Sequence, residues 1–313
     1  METQIRPIEP GDYDATAALL NGAEPERRWQ AARWRQADAR AGDDRTVRYV
    51  AVAGAPPQIV GYGAFWRVRL NKYRLELLVA PGRRRQGLGG RLMRQLLDGL
   101  ALRGAATVQA RTSEDDLESL TFLWGKGFVE TQRMYRLRLA VGAASVEPWR
   151  LAEPRLAAQG IAIGTLAYER AHEPACLHKL YELHLAALPD WPDPDPSPPA
   201  QPAFAEYARR FERDEIMPEG FFIAKQGERY VGYSGLAADP ASAGVLIAAG
   251  TAVHPAWRGR GIGMALKLRT VLFAQQQGYG TVIAHTANPT MLAINVRLGF
   301  RRERAEVRLV LAL

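Results

Sequence analysis

Apolar positions along the chain follow two periods, and the runs end at glycine or proline. Short, continuously apolar or alternating runs indicate strands, whereas apolar residues recurring every three or four positions indicate helices. In the first half the predicted strands are residues 5–8, 47–53, 59–69, 75–79, 107–111 and 127–139, and the predicted helices are residues 12–20, 26–41, 88–100 and 117–126. The predicted order is therefore β-α-α-β-β-β-α-β-α-β.

The second half repeats this order after a segment, residues 141–160, whose composition shifts to Gly, Ala and Pro. Its predicted strands are residues 161–167, 221–225, 230–236 and 244–249, and its predicted helices are residues 176–188 and 204–213 and a helix that begins at Ile262. The pattern predicts two domains, residues 1–142 and 160–313, joined by a linker at 143–159.

A glycine-rich turn joins strand to helix at Val253-His-Pro-Ala-Trp-Arg-Gly-Arg-Gly-Ile-Gly263. Such a corner suits a phosphate, because glycines remove Cβ obstruction, backbone N–H groups converge and the helix dipole favours negative charge. A dinucleotide-binding G-x-G-x-x-G is excluded, since Leu266 stands where the third glycine is needed. What remains is Arg-x-x-Gly-x-Gly, formed by Arg258, Gly261 and Gly263.

The same motif occurs in the first half as Arg84, Gly87 and Gly89, about 174 positions earlier. A P-loop is excluded there, because Leu88-Gly89 stands where Lys-Ser/Thr is required. Val60-Gly61-Tyr62 recurs as Val231-Gly232-Tyr233, and Gly127-Phe128 recurs as Gly299-Phe300. The chain is thus an internal duplication at the scale of a domain, not a solenoid repeat.

Composition is that of a soluble globular chain, with 47% hydrophobic and 24% charged residues over 313 positions. The net charge of +8 lies mostly in the first half, but its arginines are dispersed and no nucleic-acid fold accompanies them. The single cysteine, Cys176, excludes an internal disulfide, and no metal-ligand spacing is present. We expect a cytoplasmic protein that binds neither nucleic acid nor membrane.

The doubled Arg-x-x-Gly-x-Gly motif resembles the pyrophosphate-binding signature of the GCN5-related N-acetyltransferase (GNAT) superfamily. The resemblance implies an α/β fold, more strictly an α+β mixed sheet, with two tandem GNAT acyl-CoA N-acyltransferase domains. It implies acetyl-CoA as co-substrate, without a metal. The implied cofactor-binding residues are Val79, Arg84, Arg85, Gln86, Gly87, Leu88, Gly89 and Gly90 in the first half and Val253, Arg258, Gly259, Arg260, Gly261, Ile262 and Gly263 in the second.

The second half also contains a stretch, residues 286–300, that resembles the family's second cofactor segment, with Asn288 and Asn295 at the matching positions. The aligned first-half stretch, residues 117–128, contains no asparagine. Many GNAT enzymes place a tyrosine general acid where this chain has Leu123 and Asn295. An asparagine amide does not release a proton, but it can donate a hydrogen bond to sulfur or carbonyl.

Candidate catalytic residues are therefore Asn295, Glu76 and His285. Glu76 lies on the strand before the first loop, where the family often places a base, and its counterpart in the second half is Gly250. His254 is a further candidate base, although each histidine is also compatible with a structural role. Three acids in the proline-rich segment 189–202, Asp190, Asp193 and Asp195, either belong to a stiff connector or attract a cationic acceptor.

The expected function is transfer of an acetyl group from acetyl-CoA to a primary amine, with the C-terminal domain as catalytic unit. The alternative is a non-catalytic acetyl-CoA-binding regulatory or scaffold protein in which one or both domains are degenerate. The expected partner is a small-molecule amine acceptor, and the expected state is a monomer or homodimer.

Overall fold

The computed structural model describes residues 3–23, 29–40, 46–190, 201–212, 216–240 and 242–313. The chain divides into two compact units, each with parallel and antiparallel strand pairs and helices packed against them. The first unit comprises Met1–Thr112, Asp116–Thr131 and Arg308–Leu313, and the second comprises Ser113–Asp115 and Gln132–Val307. Each unit therefore includes chain from the other half of the sequence.

The first half of the chain contains six strands and four helices among the described residues. They are β1 (Gln4–Pro7), α1 (Tyr13–Ala23), α2 (Ala31–Arg40), β2 (Val47–Ala53), β3 (Gln58–Arg69), β4 (Lys72–Val79), α3 (Leu88–Ala101), β5 (Thr107–Ser113), α4 (Leu117–Trp124) and β6 (Val129–Ala140).

The second half repeats this succession with two additional short helices. Its elements are α5 (Ala152–Ala157), β7 (Ile161–Thr165), α6 (Leu166–His172), α7 (Cys176–Ala187), α8 (Phe204–Ala208), β8 (Phe222–Gln226), β9 (Arg229–Ala238), β10 (Val245–Val253), α9 (Ile262–Gln276), β11 (Thr281–Thr286), α10 (Pro289–Arg297) and β12 (Arg301–Ala312). None of the helices in the described residues is both long and apolar enough to span a bilayer.

The strands of the two units have the same internal order. In the first unit the order is β1-β2-β3-β4-β5, with the end of β12 beside β5, and in the second it is β7-β8-β9-β10-β11-β6. The pairs β4–β5 and β10–β11 are parallel, whereas the other pairs along these two series are antiparallel. In each unit the strand before the glycine-rich turn is therefore parallel to the strand that follows the next helix.

The strands β3 and β9 each contain a glycine at the same position, because the helix that follows the loop packs closely on the strand there. The leucine stripe of α3 is buried, and a Cβ added at Gly61 would lie 3.0 Å from Leu92 Cδ1. In the second unit a Cβ at Gly232 would lie 2.9 Å from Ile262 Cγ2. A larger residue at either glycine would push the helix away from the sheet and displace the loop at its N-terminus.

Several predicted boundaries differ from the structure. The strand predicted over 161–167 ends at Thr165, because the Thr165 hydroxyl accepts a hydrogen bond from the N–H of Tyr168 at 3.2 Å and starts α6. The predicted linker contains α5, whose Leu156 is fully buried. The predicted helix 204–213 is shorter, ending in a 3₁₀ turn at Arg209–Phe211. Asp193 and Asp195 lie outside the described residues.

Candidate active site

The second loop begins where β10 ends at Val253, passes through a 3₁₀ turn at Pro255–Trp257 and enters α9 at Ile262. Gly259 and Gly261 adopt left-handed backbone angles, with φ values of 76° and 87°. Residues other than glycine rarely adopt this conformation, so glycine is the favoured residue at both positions of the turn. Arg258, Gly259, Arg260 and Gly261 are all exposed.

The first loop has the same hydrogen bonds at the equivalent positions. Arg84 Nε donates to the carbonyl of Val79 at 3.2 Å, and Arg258 Nε donates to the carbonyl of Val253 at 3.3 Å. Gly87 has a φ of 79°, close to that of Gly261. The duplication therefore extends to the conformation of the loop, as the doubled motif predicts.

One residue of the first loop adopts a strained backbone conformation. Arg85, at the position of Gly259, has a φ of 61°. A left-handed conformation costs a non-glycine residue about 1–2 kcal/mol. The first loop keeps the turn without the glycine that makes it favourable in the second.

Both helices that follow the loops begin without a capping side chain. Gly87 and Gly261 are the N-cap residues of α3 and α9, and neither has a side chain to accept from the first-turn amides. Unsatisfied N–H groups at an exposed helix N-terminus favour an anion. In the first turns, Leu88 and Ile262 are buried in the cores, so they offer backbone N–H groups and not side chains.

Three polar side chains of the loops have partners of their own. Arg84 Nη1 lies 3.0 Å from Glu118 Oε2 at the start of α4, and Gln86 Nε2 donates to the carbonyl of Gly82 at 3.2 Å. In the second loop the Arg260 guanidinium lies over the Trp257 ring at 4.6 Å. The Arg84–Glu118 pair places a carboxylate beside the first loop, which disfavours a second anion there.

Beside the second loop, β10 has a free edge. Its antiparallel pairing with β9 continues to Val253, but its parallel pairing with β11 ends at Ile247. From Ala248 to Val253 one edge of β10 therefore pairs with no strand among the described residues, and we name this edge the β10 slot. Its exposed backbone groups suit an extended ligand that carries amides. In the first unit β4 separates from β5 after Arg74, which leaves a similar edge from Leu75 to Val79.

A β-bulge distinguishes the β10 slot from its counterpart. The register of β9 and β10 shifts between Ala248 and Gly250, so Ala249 has no partner on β9. The register of β3 and β4 is continuous from Leu75 to Val79. A bulge re-aims backbone groups and is common beside active sites. Arg210 reaches this point, with Nη2 3.4 Å from the carbonyl oxygen of Ala249.

Comparison with known proteins shows which family has this pair of strand, loop and helix units. A statistical model of the Acetyltransferase (GNAT) family matches residues 13–128 and 177–300, one stretch in each half. The chain belongs to the GNAT family. It is an acyltransferase with two GNAT domains, from a family that uses acetyl-CoA. No curated protein matches the sequence.

Solved structures show the same fold over the whole chain. A GCN5-related N-acetyltransferase from Sphaerobacter thermophilus has 18% identity and a TM-score of 0.71, covering 99% of this chain and 95% of that one. The GCN5-related glucosamine N-acetyltransferase region of a fungal multi-domain GH3 β-N-acetylglucosaminidase has 18% identity and a TM-score of 0.70, covering 99% and 38%. A tandem GNAT protein from the clavulanic acid biosynthesis pathway has 18% identity and a TM-score of 0.65, covering 99% and 98%.

The two asparagines of the GNAT segment have different environments. Asn288 caps α10, because its Oδ1 accepts from the N–H groups of Thr290 at 2.9 Å and Met291 at 3.1 Å. Asn295 is 1% exposed, and its Oδ1 has no hydrogen-bond partner among the described residues. A buried acceptor without a donor costs about 1–3 kcal/mol, so Asn295 is not explained by folding stability alone.

The other two candidate catalytic residues belong to different units. Glu76 belongs to the first unit, where its Oε1 lies 3.8 Å from Arg111 Nη2. His285 is exposed on β11 of the second unit, directly opposite Arg136 of β6. The roles of Glu76, His285 and Asn295 stay predictions.

His254 lies at the start of the second loop, where both of its ring nitrogens have neighbours. Its Nδ1 accepts from the N–H of Ala256 at 3.2 Å, and its Nε2 lies 3.2 Å from Arg229 Nη2. Burial lowers the pKa of His254, and the nearby cations Arg229 and Arg258 lower it further.

The sequence did not predict the contact of Arg210 with the β-bulge. Arg210 lies in a different element from Ala249, and tertiary packing brings the two residues together.

Proposed function

We propose that the second GNAT domain, residues 160–313, transfers an acetyl group from acetyl-CoA to the primary amine of a small molecule. We propose boundaries of 1–142 for the first domain and 143–159 for the connecting segment. The thioester of acetyl-CoA supplies an activated acetyl group. The protein then has to hold that thioester, present an unprotonated amine and stabilise the departing thiolate.

This proposal is supported by one observation, namely that three features suited to acetyl-CoA occur together in one segment of the second unit. An uncapped helix N-terminus with exposed arginines, the open edge of β10 and a bulge within that edge follow one another along Ala248 to Ile262. The loop amides, together with Arg258 and Arg260, would hold the diphosphate. The β10 slot would pair with the amides of the pantetheine arm, and the bulge would place backbone groups beside the thioester.

For the first domain we propose a non-catalytic role as an acetyl-CoA-binding regulatory or scaffold unit. Its strand β4 has no bulge at the equivalent edge, and its loop contains the strained Arg85. The Arg84–Glu118 ion pair already supplies a carboxylate next to that loop. These features support cofactor binding that is weaker than in the second domain.

Substitution of one glycine in each loop tests this assignment. Gly261→Asp adds both a side chain where φ is 87° and a negative charge beside the proposed diphosphate. We expect the variant to lose at least about 100-fold in acetyl-CoA affinity, measured by calorimetry, and to lose turnover with it.

Gly87→Asp is the matched variant, since φ at Gly87 is 79°. We expect it to leave turnover within about threefold of the wild type. If Gly261→Asp binds acetyl-CoA as tightly as the wild type while remaining folded, the second loop is not the cofactor site. If Gly87→Asp abolishes turnover instead, the first domain is the catalytic one.

The acceptor is to be found by measuring CoA release against a panel of primary amines. Glucosamine belongs in this panel because of the activity named for the fungal neighbour, and amines with carboxylate or with additional ammonium groups should be included. We expect at least one amine to raise CoA release well above the hydrolysis background. Tight acetyl-CoA binding without turnover on any amine would favour the regulatory alternative.

A further inference from the structure

Arg210 lies at the β-bulge of the β10 slot. It belongs to the 3₁₀ turn Arg209–Phe211 that follows α8. Its Nη2 lies 3.4 Å from the carbonyl oxygen of Ala249, the residue that the bulge leaves without a partner on β9. The Arg210 side chain is half-buried, so its charge is partly withdrawn from water. This contact places a guanidinium at the part of the slot where we propose that the thioester lies.

Arg210 approaches β10 from the face opposite α9. Ala252 of β10 packs in one buried cluster with Tyr207 of α8. Val253, the next residue of β10, packs against a different cluster that contains Ile262 of α9. Because successive side chains of a strand point to opposite faces of the sheet, α8 and α9 lie on the two faces of β10.

The α9 face of the slot is closed by apolar packing. A Cβ at Gly263 of α9 would lie 3.4 Å from Ile294 Cδ1 of α10, so the two helices are in contact beside the loop. On the same face Ala248 packs against the core cluster that contains Leu268 of α9 and Ala284 of β11. An amine that reaches a thioester in the slot therefore approaches from the α8 face, where Arg210 lies.

The orientation of the Arg210 guanidinium is set by an aromatic ring. Its Cζ lies 5.7 Å from the centroid of the Tyr207 ring, within the range of a cation–π contact. Tyr207 is itself fixed, since it is 2% exposed and its hydroxyl donates to the carbonyl of Leu180 at 3.3 Å. A planar guanidinium held in this way is preorganised for a planar anion.

Most of the hydrogen-bond donors of Arg210 are available to a ligand. A guanidinium has five N–H donors, and the contact with Ala249 uses one of them. Within the described parts of the chain, no carboxylate forms an ion pair with Arg210. A partly buried cation with unused donors is suited to bind a carboxylate, because charge-assisted hydrogen bonds to a planar acceptor are strong.

The first unit neutralises an arginine in similar surroundings. Arg48 lies over the Trp34 ring of α2 at 5.3 Å, and that ring stacks on Tyr62, the counterpart of Tyr233. There the guanidinium donates to the carboxylate of Asp38, also on α2. The first unit therefore satisfies its cation internally, whereas the second unit keeps one beside the open edge of its sheet.

We propose that Arg210 binds a carboxylate of the acceptor, so that the substrate is an amine that also carries a carboxylate, such as an amino acid. The inference rests on the proposed acetyl transfer in the second domain. Two N–H groups of the guanidinium would hold the two carboxylate oxygens, and the amine of the same molecule would face the thioester. The acidic proline-rich segment 189–202 favours the opposite class, a purely cationic amine, so one panel of substrates separates the two.

The decisive variant is Arg210→Gln, which removes the charge and keeps a hydrogen-bonding side chain. CoA release is measured with β-alanine and other amino acids, each beside its own carboxamide, which keeps the amine and lacks the carboxylate. We expect Arg210→Gln to lower kcat/KM at least about 30-fold for the carboxylated amine, mainly through KM, and less than about threefold for its carboxamide. Arg210→Lys should recover part of the loss, because it retains the charge without the planar fork.

Arg209→Gln is the matched control in the same turn. Arg209 is exposed, and its Nε donates to the carbonyl of Ala205 at 3.2 Å, so we expect unchanged kinetics with both members of each pair. Equal losses with the carboxylated amine and its carboxamide in Arg210→Gln would show that Arg210 only holds the bulge. Turnover confined to amines without a carboxylate would also overturn the inference. Failure of the wild type to bind acetyl-CoA would instead refute the proposed function itself.

Discussion

Burial sets the charge of two side chains in the second unit. Lys267 has a pKa of about 8, lowered from 10.5 by burial. Since the unfolded chain binds this proton more tightly, the buried ammonium lowers stability below pH 8. The penalty is relieved as pH rises from 8 toward 10.5, and at neutral pH it is about 3 kcal/mol at about 1.4 kcal/mol per pKa unit.

His184 provides a test of the same linkage at acid pH. It is 4% exposed, its Nδ1 lies 3.3 Å from the Tyr233 hydroxyl, and burial, aided by Arg210, lowers its pKa to about 4. Between pH 6.5 and 4 the unfolded chain binds the proton and the folded chain does not. We expect the stability contributed by neutral His184 to be complete above pH 6.5 and to decline by about 2 kcal/mol by pH 5.

Urea unfolding of His184→Gln at pH 7 and pH 5 measures this contribution. The variant should lose less stability than the wild type over that interval, whereas His172→Gln, at an exposed histidine, should behave like the wild type. Equal pH dependence of wild type and His184→Gln would show that His184 does not titrate as its burial implies.

Local spacing predicted the loop residues but not those that approach from elsewhere. Gly261 is recognisable because a left-handed turn before a helix restricts the residue type at that point. Arg210 reaches Ala249 across 39 positions, and no local pattern encodes such a contact. Lys267 interrupts the apolar face of α9. This departure is recognised only by comparison with the first half, where Met93 stands 174 positions earlier.

At the scale of elements, the predictions were most accurate where one face of the element is apolar. Leucines at every fourth position predicted α3, which runs from Leu88 to Ala101. The helix α6 was missed, because Ile161 to Ala167 is mostly apolar and periodicity does not separate a buried strand from a buried helix. Thr165 decides the boundary through a cap that depends on a single hydroxyl.

Asn288 allows the stability of α10 to be separated from cofactor binding. Its Oδ1 accepts from two amides of the first turn, so its N–H₂ group is the part left to contact a cofactor. We expect Asn288→Asp to keep the cap and the stability while lowering acetyl-CoA affinity. Asn288→Ala should lose about 0.5–2 kcal/mol of stability as well.

Thermal unfolding and calorimetry on both variants test this separation. Asp116→Ala removes the equivalent cap of α4, where Asp116 accepts from the N–H of Ser119 at 3.0 Å, and should lower stability without affecting the second domain's affinity. Loss of stability in Asn288→Asp equal to that in Asn288→Ala would show that the amide group, not the acceptor oxygen, stabilises α10.

For the whole molecule, the duplication predicted two similar sheets, and the two units confirm the predicted fold class. What the sequence did not predict is that Arg308–Leu313 belongs to the first unit and Gln132–Ala140 to the second. Both copies end in a strand after Gly-Phe, so the same pattern fits either assignment. Which unit each last strand joins depends on tertiary packing, which hydrophobic periodicity does not encode.

Removal of residues 308–313 should therefore weaken the first unit. Leu309 is fully buried, and the N–H of Leu313 donates to the carbonyl of Ala106 at 3.0 Å. We expect a loss of at least about 2–5 kcal/mol, the usual scale for deleting one buried leucine. Hydrogen exchange should become faster in Thr107–Thr112, whereas acetyl-CoA affinity of the second domain should be retained. Faster exchange confined to the second unit would contradict this assignment.

The placement of Arg308–Leu313 also has a consequence for synthesis in the cell. Domains generally fold from the N-terminus while the chain emerges from the ribosome. Here the first unit lacks a buried piece of its sheet until residues 308–313 have been translated and released from the exit tunnel. The half that is made first is thus completed last, and its nascent form has to persist unfinished while the other half is produced.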